Sequence, residues 1–271
     1  MSMDERNRAE LRALFARLDD LCVLRDKGIM RSTDFLSPRE LYHASAYLDK
    51  MGTLYRVFGG YEGAERCRVY LLPDYMEGVL EGGKRELDEL LDELGEDTDT
   101  VALRMSGSGY RTLTHRDFLG SLLAMGIDRA ALGDILVDLD GFGATVFCGR
   151  AIAELVEHES CRIANDKVSV RRLGKGEITV PERRFAKIND TVASARLDCV
   201  VASLCSLSRE RARETVISGI VEMNFESEDR PDRTVIAPAT VSVRGYGRFR
   251  VLSVSEQTRK GRYRLEAVKY L

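Results

Sequence analysis

Through residues 4–26 apolar side chains return every three or four positions, at Leu11, Leu14, Phe15, Leu18, Leu21 and Cys22. That spacing predicts an amphipathic helix with one inward stripe. Phe35-Leu36-Ser37-Pro38-Arg39-Glu40 reads as the start of a second. Ser37 is placed to cap it, Pro38 suits the first helical position, and Glu40 completes a capping box. Leu41, Ala44, Ser45 and Leu48 carry the pattern to about Met51. Two strand-like runs follow, 54–58 and 67–72, joined by the glycine-rich 59–63, and predict a hairpin. Residues 84–95 predict an acidic helix with Leu87, Leu90, Leu91 and Leu94 inward; its acidic face needs no more explanation than solvation.

From residue 100 the order of elements carries information. Strand patterns at 101–105, 132–139, 144–148 and 167–173 alternate with helical patterns at 114–125 and 151–158. The result is β-α-β-β-α-β, the ferredoxin-like order with an antiparallel sheet and both helices on one face. RNA-recognition motifs share that order but carry stacking aromatics on the sheet. No such signature is found in these strands.

The densest pattern lies at 196–224, read as two short helices and a strand. Leu197, Val200, Val201 and Leu204 form one helical face. Ser208 is placed to cap the second helix. Its stripe is read as Ala212, Val216 and Ile217, and Gly219 suits the left-handed residue past its end. Arg209 and Arg213, four apart, share a face, with Arg196 on the neighbouring helix. Guanidinium groups set on a compact helix pair make a phosphate-binding surface.

Composition narrows the class. The chain has 271 residues, 44% hydrophobic and 31% charged, enough for two or three small domains. No secretory signal is visible, and no apolar run approaches the roughly 20 residues of a membrane helix. Six scattered cysteines without a Cys-x-x-Cys pair argue for reduced thiols in the cytoplasm and against zinc or disulfides. The net charge of −3 divides unevenly: −8 over residues 1–100, 0 over 101–180 and +5 over 181–271. The basic excess falls on the last third, where the helix pair lies.

Arg196-Leu197-Asp198, Ser208-Arg209, Arg213, Ile217, Gly219, Val221 and Asn224 resemble the S4 domain, a small RNA-binding module. Val243-Arg244-Gly245-Tyr246-Gly247-Arg248-Phe249 resembles its ending as found in the YlmH family of bacterial S4-domain proteins. The run from Gly107 to Gly120, with Tyr110-Arg111-Thr112-Leu113-Thr114-His115-Arg116-Asp117 inside it, resembles a motif of the same family, as does Phe35–Glu40, so the likeness spans nearly the whole chain. Two departures stand out: Phe225 where the family has glycine after the asparagine, and Ala239-Thr240 where it has Gly-Asp. They imply a looser, acidic segment at 226–232. Arg183-Arg184-Phe185-Ala186-Lys187 reads as a short basic connector that extends the RNA surface, or as an ordinary exposed linker.

Other motifs give competing readings. Gly107-Ser108-Gly109 invites a nucleotide loop, but Thr112 stands where the dinucleotide fingerprint needs a third glycine. A tight turn, or amides presented to an RNA phosphate beside Arg111 and Arg116, fits better. Arg196-Leu197-Asp198 is similar to the motif that carries the catalytic aspartate of pseudouridine synthases. No further domain follows to hold such a site, so Asp198 is expected to pair with an arginine or to accept from backbone donors. His115 stands in a basic, hydroxyl-rich cluster and could stack on a base or bridge a phosphate. Thr114 is equally a helix cap that leaves His115 and Arg116 in its first turn. His43 and His158 lack ligand partners.

The expectation is an α+β, non-enzymatic RNA-binding protein without cofactor or metal. Its parts are an N-terminal helical and hairpin region (1–98), a ferredoxin-like middle (99–178) and a C-terminal S4-like, αL-type domain (179–271). The RNA-binding candidates are Arg196, Arg209, Arg213, Arg183, Arg184, Lys187, Arg244, Arg248, Arg111, His115 and Arg116. The resemblance implies rRNA and tRNA as partners, on the large ribosomal subunit with a stalled peptidyl-tRNA, in ribosome-associated quality control. The alternatives are an RNA-modifying enzyme with an S4 domain, and a scaffold linked to translation or cell division whose acidic N-terminal region recruits protein partners.

Overall fold

A computed structural model describes residues 3–77, 99–159, 162–180, 185–257 and 261–270. The acidic helix expected at 84–95, and Arg183 and Arg184, lie outside the described residues. The chain forms two compact units, Met1–Pro181 and Glu182–Leu271.

In the first unit, helix α1 (Met3–Asp26) and helix α2 (Pro38–Met51) pack on a three-stranded antiparallel sheet. Its strands are β1 (Arg31–Ser32), β2 (Tyr55–Phe58) and β3 (Arg68–Leu71), with β3 central. The expected hairpin is β2–β3; β1, only two residues long, carries no period that the sequence could show. Ser37 caps α2 as read: its hydroxyl accepts from the Glu40 amide at 3.3 Å, while the Ser37 amide donates to the Glu40 carboxylate at 2.8 Å. Leu14, Leu18, Ala44 and Leu48 fill the core against Val69 and Leu71.

The middle sheet contains β4 (Thr100–Ser106), β5 (Leu132–Val137), β6 (Gly143–Gly149) and β9 (Ser169–Arg172) in the order β5-β6-β4-β9, every neighbour antiparallel. Helix α3 (His115–Ala124) follows β4, and helix α4 (Arg150–His158) follows β6, giving the β-α-β-β-α-β order. A small hairpin of β7 (Arg162–Ile163) and β8 (Asp166–Lys167) precedes β9, so the strand expected at 167–173 is divided. The strand expected to reach residue 139 stops at Val137, and Leu139 is 97% exposed in the turn to β6.

Alternation along the strands gives this sheet two apolar faces. Leu103, Met105, Val146 and Cys148 pack with Phe118 and Leu122 of α3 and Ala153 and Val156 of α4. On the opposite face, Ala102 and Phe147 are buried with Phe35 and Tyr61 from the N-terminal region. That approach depends on glycine: a Cβ on Gly60 (φ +99°) would run into the Phe147 ring. Asp134 on β5 fastens the same contact. Its carboxylate accepts from the Tyr61 hydroxyl and the Glu65 amide, each at 2.7 Å, and from the Arg66 amide at 3.1 Å.

The second unit is a six-stranded antiparallel sheet with two helices. Its strands are β10 (Phe185–Val192), β11 (Val221–Met223), β12 (Glu226–Ser227), β13 (Ala239–Val243), β14 (Gly247–Gln257) and β15 (Tyr263–Tyr270), ordered β10-β15-β14-β13-β11-β12. Helices α5 (Leu197–Leu204) and α6 (Arg209–Ile217) cover one face, burying Leu197, Val200, Val201, Ala212 and Val216 against Val241, Phe249, Val251 and Leu265.

The second unit departs from expectation in three places. Ile217 does not join the stripe of α6 but is 54% exposed. Ala212 and Val216, four apart, already span the inward face, and the next residue is turned about 100° away from it. Phe185, Ala186 and Lys187 are not linker: they open β10 and pair with Tyr270, Lys269 and Val268. The segment at 226–232 is not loose. Asn224 and Phe225 both take left-handed backbone (φ 51° and 68°), making a two-residue hairpin turn between β11 and β12. The Asn224 side chain accepts from the Thr240 amide at 3.0 Å. Beyond it Glu228 holds Arg230 at 3.0 Å and Arg233 at 3.5 Å.

Candidate nucleic-acid interface

Two groups of the expected residues come together, one in each unit. In the first unit the loop from β4 to α3 carries Tyr110 and Arg111, and the first turn of α3 carries His115 and Arg116, all exposed. The loop is anchored from behind. The Gly107 amide donates to the Phe142 carbonyl at 2.7 Å, the Leu113 amide to the Gly141 carbonyl at 2.7 Å, and the Ser108 amide to the Asp166 carboxylate at 3.0 Å. These bonds correct one expectation: the Gly107 and Ser108 amides are spent inside the protein and do not face a phosphate. A Cβ on Gly107 would lie 2.8 Å from the Asp166 carboxylate and 3.0 Å from the Phe142 carbonyl, so a side chain there would crowd the loop's anchor. The Ser108 hydroxyl and amide hold the Asp166 carboxyl below its usual range.

Thr114 caps α3 in a reciprocal box with Asp117. Its amide donates to the Asp117 carboxylate at 2.8 Å, its hydroxyl donates there at 2.7 Å, and the Asp117 amide returns a bond at 3.4 Å. The Thr114 hydroxyl and amide, with Arg111 and Arg116 nearby, depress the Asp117 pKa. Capping therefore places His115 and Arg116 in the exposed first turn. The cap is observed, and it leaves both side chains exposed.

The sheet behind this loop is not the platform of an RNA-recognition motif. The face away from α3 and α4 is covered at one end by Phe35 and Tyr61. The rest is an open cleft of about 520 Å³ lined by Arg104, Asp138, Thr145 and Arg171, among others. Its cations are internally matched: Arg104 makes a two-pronged pair with Asp138, and Arg171 meets Glu177 at 2.9 Å. Arg111 and Arg116 sit instead on the loop edge, turned to solvent.

In the second unit Arg196 and Arg209 converge on Asp198. The Asp198 carboxylate is 2% exposed and accepts from Arg196 Nε and Nη2, both at 3.1 Å, and from the Cys199 amide at 2.9 Å. Arg209 Nε stands 3.9 Å from it. Burial opposes the charge, but the Arg196 and Cys199 bonds outweigh it and hold the Asp198 pKa below normal. The pairing expected for Asp198 is observed. The helix N-terminus behind it is closed to ligands, since the Leu197 and Asp198 amides donate to the Arg233 and Pro231 carbonyls.

Ser208 caps α6 through the Arg211 amide at 3.2 Å, which turns Arg209 and Arg213 outward one helical turn apart. Glu210 and Glu214 form a parallel exposed row, so the outer surface of α6 is striped rather than uniformly basic. Arg244 and Arg248 flank the β13–β14 turn, where Gly245 and Gly247 take positive φ and the Arg244 amide bonds the Ile220 carbonyl. Lys187 lies on edge strand β10. The register aligns it with Val268 and then Arg250, so Arg250 adds a cation that sequence spacing did not select. Tyr110, an aromatic between a glycine turn and an arginine and outside any apolar period, is exposed beside Arg111.

Residues 104–177, which contain the exposed loop and most of the middle sheet, match the family described as "Putative RNA-binding domain in YlmH". The fold is α+β, and its middle region is similar to that RNA-binding domain family. The chain is 26% identical over 243 residues to the ribosome-associated protein quality control protein P2 of Bacillus subtilis (strain 168), covering 90% of this chain and 88% of that one. A solved structure of the cell division protein ylmH from Streptococcus pneumoniae shares 20% identity at a TM-score of 0.45, over 65% of this chain and 95% of that chain. Over residues 104–177 the chain is thus similar to YlmH proteins. Among the described residues no helix is long and apolar enough to cross a membrane, and no group of three or more His, Cys, Asp or Glu is placed to hold a metal ion.

Proposed function

We propose that this protein binds folded RNA on the ribosome through phosphate contacts made by two basic surfaces. One is the Arg111/His115/Arg116 segment of the middle domain, and the other is on the C-terminal unit, with Arg196, Arg209 and Arg213 at its helices and Lys187, Arg244 and Arg248 on its sheet and the β13–β14 turn. The observation that carries the reading is the coincidence of the RNA-binding family match with a loop whose backbone is anchored and whose cations are exposed. The relative named for ribosome-associated quality control supplies the setting. In that setting the partner is the large subunit with a stalled peptidyl-tRNA, and the compartment is the cytoplasm. The helix pair and sheet of the second unit fit an S4-like domain (179–271), and the middle sheet fits a ferredoxin-like domain (99–178) behind an N-terminal region (1–98). Binding, not catalysis, is the role read for Asp198, whose oxygens are engaged by Arg196 and the Cys199 amide.

The test is co-sedimentation of the full chain with purified ribosomal subunits at rising salt. The Arg209→Gln/Arg213→Gln double substitution is the comparator, since neutral side chains avoid placing a new carboxylate near Asp198. Each lost phosphate contact should reduce the salt slope by roughly 0.7–0.9. Salt-sensitive binding to the large subunit, weakened and flattened in the variant, is the expected result. Binding to neither subunit would remove the ribosome from this reading.

A further inference from the structure

We infer that Tyr110 is a stacking platform for an unpaired nucleobase, and that the middle domain thereby prefers single-stranded RNA over duplex. This rests on the proposed RNA-binding role of the domain and names the form of RNA it takes.

The first observation is exposure. Tyr110 is 97% exposed, although aromatic side chains normally bury most of their surface. The second is that this exposure is built in. Its loop is tied on both sides by the Gly107, Ser108 and Leu113 amide bonds to Phe142, Asp166 and Gly141, and the Tyr110 amide itself lies 3.4 Å from the Ser108 hydroxyl. The ring is thus presented by a fixed backbone. The third is the neighbourhood. Arg111 is adjacent, and His115 and Arg116 follow in the first turn of α3, all exposed. Leu139 is exposed to the same 97%, in the β5–β6 turn to which this loop is hydrogen-bonded.

An aromatic face beside exposed guanidinium groups fits one chemistry well. Phosphates take the cations while a splayed base takes the ring, as in sequence-tolerant binding of single strands. In a duplex the base faces are stacked on one another, so Tyr110 would have nothing to cover. A-form duplex is read through its backbone and 2′-hydroxyls instead. The Arg104–Asp138 and Arg171–Glu177 pairs engage the sheet's own cations, which leaves the loop edge as the better phosphate surface.

The chain contains no tryptophan, so Tyr110→Trp creates a unique fluorophore at this position. The probes are an oligouridylate and a blunt RNA duplex of equal length, titrated into the full-length chain. The expected result is quenching of the introduced indole's emission by the single strand and little change with the duplex. Tyr110→Ala should weaken single-strand binding roughly tenfold at an unchanged salt slope, leaving duplex binding as it was. Tyr110→Phe should keep the affinity, because stacking needs the face and not the hydroxyl. Equal losses on both RNAs, or binding of the single strand without quenching, would overturn the stacking role. In that case an Arg111→Gln/Arg116→Gln variant decides the parent reading. If it loses RNA, the domain binds phosphates only; if it too is unchanged, this loop is not an RNA surface.

Discussion

The buried Asp198 carboxylate holds the guanidinium of Arg196 through two 3.1 Å hydrogen bonds, two residues away in sequence. The pair sets the N-terminal corner of α5 and determines where one of the proposed RNA-binding cations points. It also has a pH signature. The folded Asp198 pKa is depressed, so below the ordinary aspartate value of about 3.9 the unfolded chain binds the proton first. The stabilisation is complete above that value and is lost as pH falls toward the folded pKa. The protection of the α5 amides against hydrogen exchange, taken relative to their intrinsic rates, should therefore fall below about pH 4 in the wild type, and Asp198→Asn should flatten that dependence.

Asp134 predicts a different loss. Three donors from the Tyr61–Arg66 turn converge on it. Hydrogen bonds to a charged group are worth about 1.5–3 kcal/mol each and are not additive. Asp134→Ala should cost about 3 kcal/mol, and Tyr61→Phe about 1 kcal/mol, in thermal unfolding of the first unit. An effect confined to the second unit's transition would contradict the assignment.

Two glycines in one loop separate backbone strain from collision. Gly60 and Gly63 both have positive φ, but a Cβ on Gly60 meets Phe147 whereas one on Gly63 meets nothing within 4 Å. Gly63→Ala should cost only the left-handed penalty of about 1–2 kcal/mol. Gly60→Ala should add overpacking of about 1–3 kcal/mol to it. Combining Gly60→Ala with Phe147→Leu should recover part of that added cost, which a double-mutant cycle on denaturation midpoints would measure.

Neighbouring positions on α6 should behave oppositely. Val216 is fully buried and Ile217 is 54% exposed. Val216→Ala is expected to destabilise the second unit by about 1–3 kcal/mol. Ile217→Lys should stay within about 0.5 kcal/mol. Comparable costs for the two would mean that Ile217 belongs to the core after all.

Legibility in the sequence followed the range of the interaction. The caps of α2 and α3 are complete within four residues, so Ser37 with Glu40, and Thr114 at the start of α3, are legible from local sequence. The same holds for the α1 stripe and the element order of the middle sheet. The two-residue strand β1 could not be read, because it exists only by pairing with β3. Nor could the state of the 226–232 segment, where Asn224 and Phe225 take the positive φ usually left to glycine while Thr240 and the Glu228 ion pairs hold the chain around them.

The candidate interface divides in the same way. By itself the sequence determined the residue types: arginines spaced four apart on a capped helix, a histidine and an arginine in a first turn, and a motif with its family likeness. These are local facts of helical geometry and composition. Tertiary structure alone decided which groups are free to act. Long-range bonds to Asp166 and Phe142 consume the loop amides that looked available. Phe35 and Tyr61 cover one end of the sheet face that a related topology would offer to RNA, and Asp138 and Glu177 pair with the cations on the rest, while Asp198 draws Arg196 and Arg209 together. Availability depends on what else packs against a group, and most of those partners are brought in from distant parts of the chain.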